Sequence, residues 1–274
     1  MSYRKHDQQR SLSKRHLICF LEFLAAKGYT LTALDDYELL YKIELNGFVR
    51  YLSDLDFNST ACSRLLKDKV LTYLALDNLQ INVPDGTYFL LGNHLYSQSS
   101  DEILESLRVF DYPIICKPND SSLGKAVSVL PTFNEQRVTK AISKVREYSD
   151  ILIVQQYLRG REYRVIAVEG EIILAFEKHD DPGHPTELSL TECKGFRDLV
   201  LNSMHYFGAT VCGFDLMVKD GVTHVLEINS NPFVFPVKSY LNRSTMERYF
   251  SKLEGILRRR YGNKTSTSAG LRGV

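Results

Sequence analysis

Three oxygen-bearing side chains, Asp215, Glu227 and Asn229, stand within the stretch "GFDLMVKDGVTHVLEINSNP". Two apolar strands flank a Lys-Asp-Gly turn there, and strands bound for a core have no apolar reason to carry these groups. In a hairpin, facing residues share a face and neighbours alternate. A two-residue turn at Asp220-Gly221 sets Asp215 opposite residue 226 and sends Glu227 to the other face. A three-residue turn through Lys219-Asp220-Gly221, with Gly221 in the left-handed region, sets Asp215 opposite residue 225. Asp215, Glu227 and Asn229 then project together. That odd-length turn, or a bulge of the same parity, is the expected arrangement. Magnesium takes such oxygen ligands and leaves the rest of its shell to phosphates. Two unpaired carboxylates this close repel at neutral pH, and a cation removes the penalty. Pairing with Lys or Arg at the rim of a sheet accounts for the same residues equally well.

Phosphate also needs cations or backbone donors. The Gly124-Lys125 pair is followed by Ala126 and lacks the upstream glycine of a phosphate-binding P-loop, and no G-x-G-x-x-G occurs. "KPNDSSLGKAV" nevertheless joins two strands through Ser121, Ser122 and Gly124. Such a loop can aim N–H groups and hydroxyls at an anion. Lys117 ends an apolar strand, where its charge is costly unless an anion meets it. Taken alone, the loop reads as a plain turn.

The elements that must position these residues follow from pattern. "SLSKRHLICFLEFLAAKG" is expected to be a helix capped by Ser11 or Ser13 and closed by Gly28. "YTLTALD" and "YKIELNGFVRYL" read as strands, the second pair turning at Asn46-Gly47. Residues 59–79 form one or two helices that end before Val83-Pro84. "YPIICK" and "KAVSVL" are strands, followed by a helix with a capping box from Thr132 to Glu135 and Val138, Ile142 and Val145 on one face. "ILIVQQYL" is a strand, and "YRVIAVEGEIILAFEK" is a hairpin turning at 169–171. Helices are expected at 197–207, closed by Gly208, and at about 245–260, ahead of a flexible tail. No internal repeat is visible.

Composition sets outer limits. At 274 residues, with 44% hydrophobic and 24% charged residues, the chain has the makings of a sizeable core in one or two domains. A net charge of +1 gives no reason to expect nucleic acid or a membrane surface. Basic residues at both ends read as solvated. The most apolar stretch, "HLICFLEFLAA", is interrupted by Glu22 and falls short of the roughly 20 residues a bilayer needs. No signal peptide is visible. The cysteines are 5 in number and scattered through apolar runs, as small core residues are. A cytoplasmic protein is the expectation.

In order along the chain, these pieces resemble the ATP-grasp superfamily over about residues 60–245. "KDKVLTYLALDNLQINVPDG" is similar to its first nucleotide lysine segment, and "YPIICKPNDSSLGKAV" to its second lysine and phosphate-covering loop. "VQQYLRGREYRVIAVEGEIILAFEK" resembles the adenine hinge, ribose-binding Glu and hairpin, and the opening stretch resembles the metal hairpin. The likeness is nearest to the ATP-grasp modules of bifunctional glutathione synthetases and cyanophycin synthetases. It implies an α+β ATP-grasp fold, two α+β subdomains sandwiching the nucleotide, with a shortened N-terminal segment at 1–60. The ATP-grasp domain would span 61–260, with a small lid subdomain at about 112–157, and the tail 261–274. By that resemblance, Lys69 and Lys117 touch the nucleotide phosphates, and Ser121, Ser122 and Gly124 lie in the lid. Gln155, Gln156, Tyr157 and Leu158 form the hinge beside adenine, and Glu162 holds the ribose. Asp215, Glu227 and Asn229 bind magnesium, with manganese as the alternative. Arg164 and Lys178 stabilise the transferred phosphate.

The sequence departs from the pattern at several points. Gln155 replaces the usual hinge Glu, Phe233 follows Pro232 where Gly is common, and the loop has a single Gly. Gly213 stands where related dipeptide ligases carry Arg, which leaves Arg164 as the better cation. The implied activity is an ATP-dependent carboxylate–amine ligase acting through an acyl-phosphate. A kinase of the same fold acting on a hydroxyl, or a nucleotide-binding protein without turnover, are the alternatives. Partners are then a small-molecule or peptide carboxylate and an amine, with no nucleic acid or membrane, and a homodimer left open. Phe233, Phe235, Lys238 and Arg243 are candidates to line the acceptor pocket, with a solvated surface the plainer reading for Lys238 and Arg243.

Overall fold

The computed structural model describes residues 3–92, 96–121, 124–179, 186–189, 191–232 and 243–261, with side chains from 14 to 260 within those ranges. Ser122, Phe233, Phe235, Lys238 and the expected tail beyond 261 lie outside the described residues. Helices and strands mix along the chain as an α+β fold requires, and three sheets organise them.

The N-terminal part is a helix, α1 (Tyr3–Ala26), and a three-stranded meander of β1 (Thr30–Ala33), β2 (Tyr41–Leu45) and β3 (Phe48–Leu52). Helix α1 begins well before Ser11, so neither Ser11 nor Ser13 caps it. The β2–β3 turn is Asn46-Gly47, both at positive φ, as the dipeptide predicts. Helices α2 (Thr60–Lys67) and α3 (Lys69–Asn78) follow. They are split at Asp68, whose side chain accepts the N–H of Leu71 and starts the second helix.

A four-stranded sheet comes next: β4 (Gly86–Leu90), β5 (Ile114–Pro118), β6 (Ser128–Leu130) and β7 (Ile151–Gln156), in the order β4-β7-β5-β6. Phe89, Ile114, Cys116, Leu152 and Val154 line one face and pack on α4 (Ser100–Arg108) and α5 (Glu135–Arg146). Strand β4 and α4 are additions to the elements expected from sequence, so this sheet takes in residues ahead of 112. The capping box sits on α4, where Ser99 and Glu102 satisfy each other's backbone N–H. On α5 the cap is Asn134 rather than the expected Thr132, its side chain accepting from Arg137 N–H.

The third sheet has five strands in the order β10-β9-β8-β11-β12. These are β8 (Arg161–Val168), β9 (Glu171–Lys178), β10 (Thr186–Glu187), β11 (Val211–Lys219) and β12 (Val222–Asn229). One face packs on α2, α3 and α6 (Lys194–Phe207) through Val165, Ala167, Cys212, Phe214 and Leu216. Gly208 ends α6 in the left-handed region, as expected. The other face is dry at one end, where Ile166, Val168, Leu174, Phe176 and Val211 pack under α1 and α7 (Arg243–Tyr261). Further along, the same face turns polar.

Register on β11–β12 decides that change. The turn is the two-residue Asp220-Gly221, with Lys219 opposite Val222, and not the expected three-residue loop. Both turn residues have positive φ, as a type I′ turn demands. The expected parity comes from elsewhere. Leu216 pairs with Val225 but Asp215 pairs with Glu227, so Leu226 is an extra residue in β12. This bulge brings Asp215, Glu227 and Asn229 onto one face. All five cysteines are free, and four are buried. Among the described residues, no helix is long and apolar enough to cross a membrane.

Candidate active site

Lys69 is the first residue of α3, so the Asp68 cap fixes where its side chain leaves the helix. It is buried, and its Nζ donates to the carbonyls of Asn119 (3.2 Å) and Ser121 (2.8 Å). Glu227 Oε1 lies 3.4 Å from the same nitrogen. One ammonium therefore joins α3, the loop after β5 and the β11–β12 hairpin. Asn119 reinforces the joint, its Oδ1 accepting the N–H of Val70 at 2.9 Å.

Lys117 lies on the face of the four-stranded sheet turned away from α4 and α5. Its Nζ donates to the hydroxyl of Tyr73 at 2.8 Å and sits 5.2 Å from that ring's centre. Burial, with the charge of Lys69 adding to it, brings the Lys117 ammonium down to about 8, against an opposing pull from Glu227 and Asp215. Tyr73 in turn donates to the carbonyl of Leu226, the extra residue of the bulge. Val225 N–H beside it donates to the Asn82 carbonyl at 2.8 Å. Contacts from α3 and its following loop thus satisfy backbone groups that a bulge leaves outside the ladder.

Asp215 is the centre of the polar face. Arg164, directly opposite on β8, donates from Nη1 to Asp215 Oδ2 at 2.6 Å, and both side chains are 13% exposed. Lys178 on β9 donates to Asp215 Oδ1 at 2.7 Å and to Glu162 Oε1 at 2.5 Å. Burial opposes ionisation of Asp215, but the charges and hydrogen bonds of Arg164 and Lys178 outweigh it and hold the carboxyl below the usual range. The two strand carboxylates are therefore not left to repel each other: Asp215 is neutralised by Arg164 and Lys178, and Glu227 lies within ion-pair reach of Lys69. Gly213 makes room for this. A Cβ there would fall 3.3 Å from the Arg164 guanidinium and 2.6 Å from Pro232 Cβ.

The remaining expected residues are placed as follows. Gln155 and Leu158 are buried, and the N–H groups of Gln156 and Tyr157 donate to the carbonyls of Asp85 (2.7 Å) and Pro113 (2.9 Å). Glu162 holds Lys178. Ser121 donates from Oγ to the Lys125 carbonyl at 3.2 Å, and Gly124 has a positive φ. Asn229 Nδ2 is 3.5 Å from Asp215 Oδ2. Arg243 is exposed and pairs with Glu247 one helical turn away, so it is a solvated helix residue.

Three residues that sequence reading passed over hold the site together. Tyr73 and Asn119 are described above; one turn of helix after Lys69 was the available signal for Tyr73. Asn58 is the third. Its amide donates to the carbonyls of Val211 and Ser230, both at 2.7 Å, and its oxygen accepts Thr210 N–H at 2.7 Å. It binds the start of β11 to the end of β12 across the chain.

A divalent cation fits these residues only in part by protein ligands. Asp215 faces Glu227 in register with Asn229 beyond, and the buried Oδ1 of Asn231 has no hydrogen-bond partner. Among the described residues, no cluster of three or more His, Cys, Asp and Glu could hold an ion. That donor set suits magnesium, which takes one or two carboxylates and completes its shell with phosphate and water.

Comparison with known proteins bears on the same residues. The glutathione biosynthesis bifunctional protein GshAB of Streptococcus agalactiae is 24% identical over 54% of this chain and 19% of its own length. Cyanophycin synthetase of Trichormus variabilis is 30% identical over 40% of this chain and 11% of its own. The chain thus spans a small part of these relatives. A crystal structure of D-alanine–D-alanine ligase from Bacillus anthracis complexed with ATP superimposes with a TM-score of 0.57 at 19% identity, covering 76% of this chain and 70% of that one. Residues 66–233, more than half of the chain, match the ATP-grasp domain. Lysine segment, loop, hinge strand and carboxylate hairpin all fall within that span, and the chain belongs to the ATP-grasp family.

Proposed function

We propose that this protein is an ATP-dependent carboxylate–amine ligase. One observation carries the reading: cations and carboxylates from two sheets and α3 converge on one polar sheet face. Lys69, Lys178, Arg164, Asp215, Glu162 and Glu227 stand there, with Lys117 facing them through Tyr73. Every cation there is now held by protein oxygens, and phosphate oxygens are the natural replacement. In this reading Lys69 and Lys117 meet the nucleotide phosphates, Glu162 releases Lys178 to take the ribose hydroxyls, and the hinge 155–158 borders adenine. Asp215, Glu227 and Asn229 hold magnesium. A divalent cation held there would offset the charge of the phosphates.

Chemistry then follows from positioning and charge neutralisation. A substrate carboxylate oxygen attacks the γ-phosphorus and ADP leaves. Arg164 and Lys178 steady the oxygens of the acyl-phosphate. An amine then attacks the acyl carbon, phosphate departs with the C–O bonding pair, and the nitrogen loses its proton. Names borne by relatives and neighbours, such as cyanophycin synthetase and D-alanine–D-alanine ligase, support this reaction class.

The test is incubation with ATP, magnesium and a panel of amino acids and peptides, following ADP and free phosphate together. A ligase releases the two in equal amounts with an amide product. ADP without free phosphate would show a kinase, and neither, despite ATP binding, would show a protein that holds nucleotide without turning it over.

A further inference from the structure

The N-terminal sheet has one covered face and one open face, and register separates them. Leu31, Ile43, Phe48 and Leu52 share the inner face and pack with α1 and α7. Thr30, Thr32, Lys42, Glu44 and Tyr51 share the outer face, whose middle is the Lys42–Glu44 ion pair at 2.9 Å. Beyond that pair the outer face turns apolar. Leu34 and Leu40 extend β1 and β2 by one step, with Leu34 N–H donating to the Leu40 carbonyl at 2.9 Å, so both fall on the side of Tyr51. The connection between the two strands adds Tyr37 and Leu39. Leu34, Tyr37, Leu39, Leu40 and Tyr51 are between 37% and 77% exposed. No other stretch of the described residues exposes as many large apolar side chains. An apolar patch of this extent marks an interaction surface.

The patch is held in shape. The Asp35 carboxylate accepts the N–H groups of Tyr37 and Leu39 at 2.9 Å and of Leu40 at 3.0 Å. Lys14 of α1 donates to the Tyr37 carbonyl at 2.8 Å and pairs with Glu38 at 3.5 Å. Order already in place lowers the entropy cost of association.

Lys14 also sets two opposite charges side by side. On one side the connection carries Asp35, Asp36 and Glu38, with Asp36 and Glu38 exposed. On the other, α1 carries Arg4, Lys5 and Arg10 against Asp7 in the turns ahead of Lys14. A two-fold rotation lays such a patch on itself reversed, acidic connection against basic helix at both ends. A patch of one sign would repel its own copy. Five apolar side chains from each of two copies bring together on the order of 1,000 Å², the lower bound for a specific interface, before any rim is added.

We propose that the outer face of the N-terminal sheet, with the first half of α1, is an isologous interface between two copies of this chain. It takes no residue from 66–233.

Sedimentation equilibrium on the full chain should show a monomer–dimer equilibrium with a dissociation constant of about 10 μM or tighter. Tyr37→Asp/Leu39→Asp should weaken it about 100-fold, with circular dichroism unchanged because both side chains are exposed. Asp36→Lys in one chain, and Arg4→Glu/Lys5→Glu/Arg10→Glu in another, should each weaken self-association about tenfold, since like charges then meet at both ends. Mixing those two chains should restore wild-type affinity, because each acidic side again meets a basic one. This charge-reversed pair decides alone if Tyr37→Asp/Leu39→Asp does not fold. A wild-type chain still monomeric at about 100 μM, a dimer indifferent to Tyr37→Asp/Leu39→Asp, or a mixed pair no tighter than its two parents would each overturn the interface.

Discussion

Two hairpins of the five-stranded sheet are built alike and do different things. Strands β8 and β9 turn at Glu169-Gly170, and β11 and β12 at Asp220-Gly221, all four residues at positive φ. Each hairpin then shifts register by one residue, between Ile166 and Ala167 in the first and between Asp215 and Leu216 in the second. In β8–β9 the extra residue is Ile173, and the neighbours Ile166, Ala167, Ile172 and Leu174 are all buried. Either parity there would bury apolar side chains. In β11–β12 the extra residue is Leu226, and parity decides whether two carboxylates share a face. The same backbone device serves packing in one place and charge placement in the other. What separates them is the side chains on either face and, for the second, the Tyr73 hydroxyl and Asn82 carbonyl that hold the bulge.

The comparison can be broken hardest at Glu227. Glu227→Gln keeps shape but removes a charge at the hairpin, and ATP turnover should fall about 10³-fold. Circular dichroism should show an intact fold, because the Lys69 contact at 3.4 Å is long and Glu227 is 30% exposed. Wild-type turnover in this variant would sink the metal reading. The matching cut in the dry hairpin, Ile173→Ala, should do the reverse. It should cost about 3 kcal/mol in urea unfolding through a cavity, with turnover per folded molecule retained.

Tyr73→Phe tests the contact that distinguishes the second bulge. It strips the Leu226 carbonyl and the Lys117 ammonium of one partner each, and should cost about 2 kcal/mol of stability along with ATP affinity. A variant as stable as wild type would mean that the bulge holds itself.

Lys117 adds a pH dependence. Its folded value of about 8 lies below its ordinary 10.5. The buried ammonium therefore costs stability in full below pH 8, and the cost fades as pH rises towards 10.5. Phosphates should pull the proton back, so ATP affinity should weaken about tenfold between pH 7 and 9, with proton uptake on binding. Calorimetry in buffers of different ionisation enthalpy measures both, and Lys117→Met should flatten the profile.

Smallest are the two turns. Gly170→Ala and Gly221→Ala each put a Cβ into open space, so only the positive φ is strained. Both should lower stability by about 1 kcal/mol, and by the same amount within error. A larger loss at Gly221 would show that its turn, and not the bulge alone, sets the carboxylate register.

Much of the site was legible from residue types and their order. Lys69 after Asp68, Lys117 at the end of an apolar strand, and Asp215, Glu227 and Asn229 in alternating positions are local signals, and strand periodicity exposes polar residues where apolar ones belong. The helices carrying Val138, Ile142 and Val145, or closed by Gly208, were legible for the same reason. Strand β4 was not, because a short, exposed edge strand has weak alternation, whereas helix α4 carried a readable signal, the Ser99–Glu102 capping box ahead of Ile103, Leu104 and Leu107, that was passed over. The caps misread at Ser11, Ser13 and Thr132 show that a serine or threonine permits a helix start without choosing it.

Sequence alone determined the charged groups of the site and the odd parity that Asp215, Glu227 and Asn229 need in order to share a face, since side-chain alternation in a strand is a local rule. Tertiary structure decided how the parity is met, at Leu226 and not at the turn, because the groups that stabilise the bulge, on Tyr73 and Asn82, are distant in the chain. It also decided that Asp215 is held by Arg164 and Lys178. Charge pairing depends on which strand lies beside which, and only the folded sheet sets that.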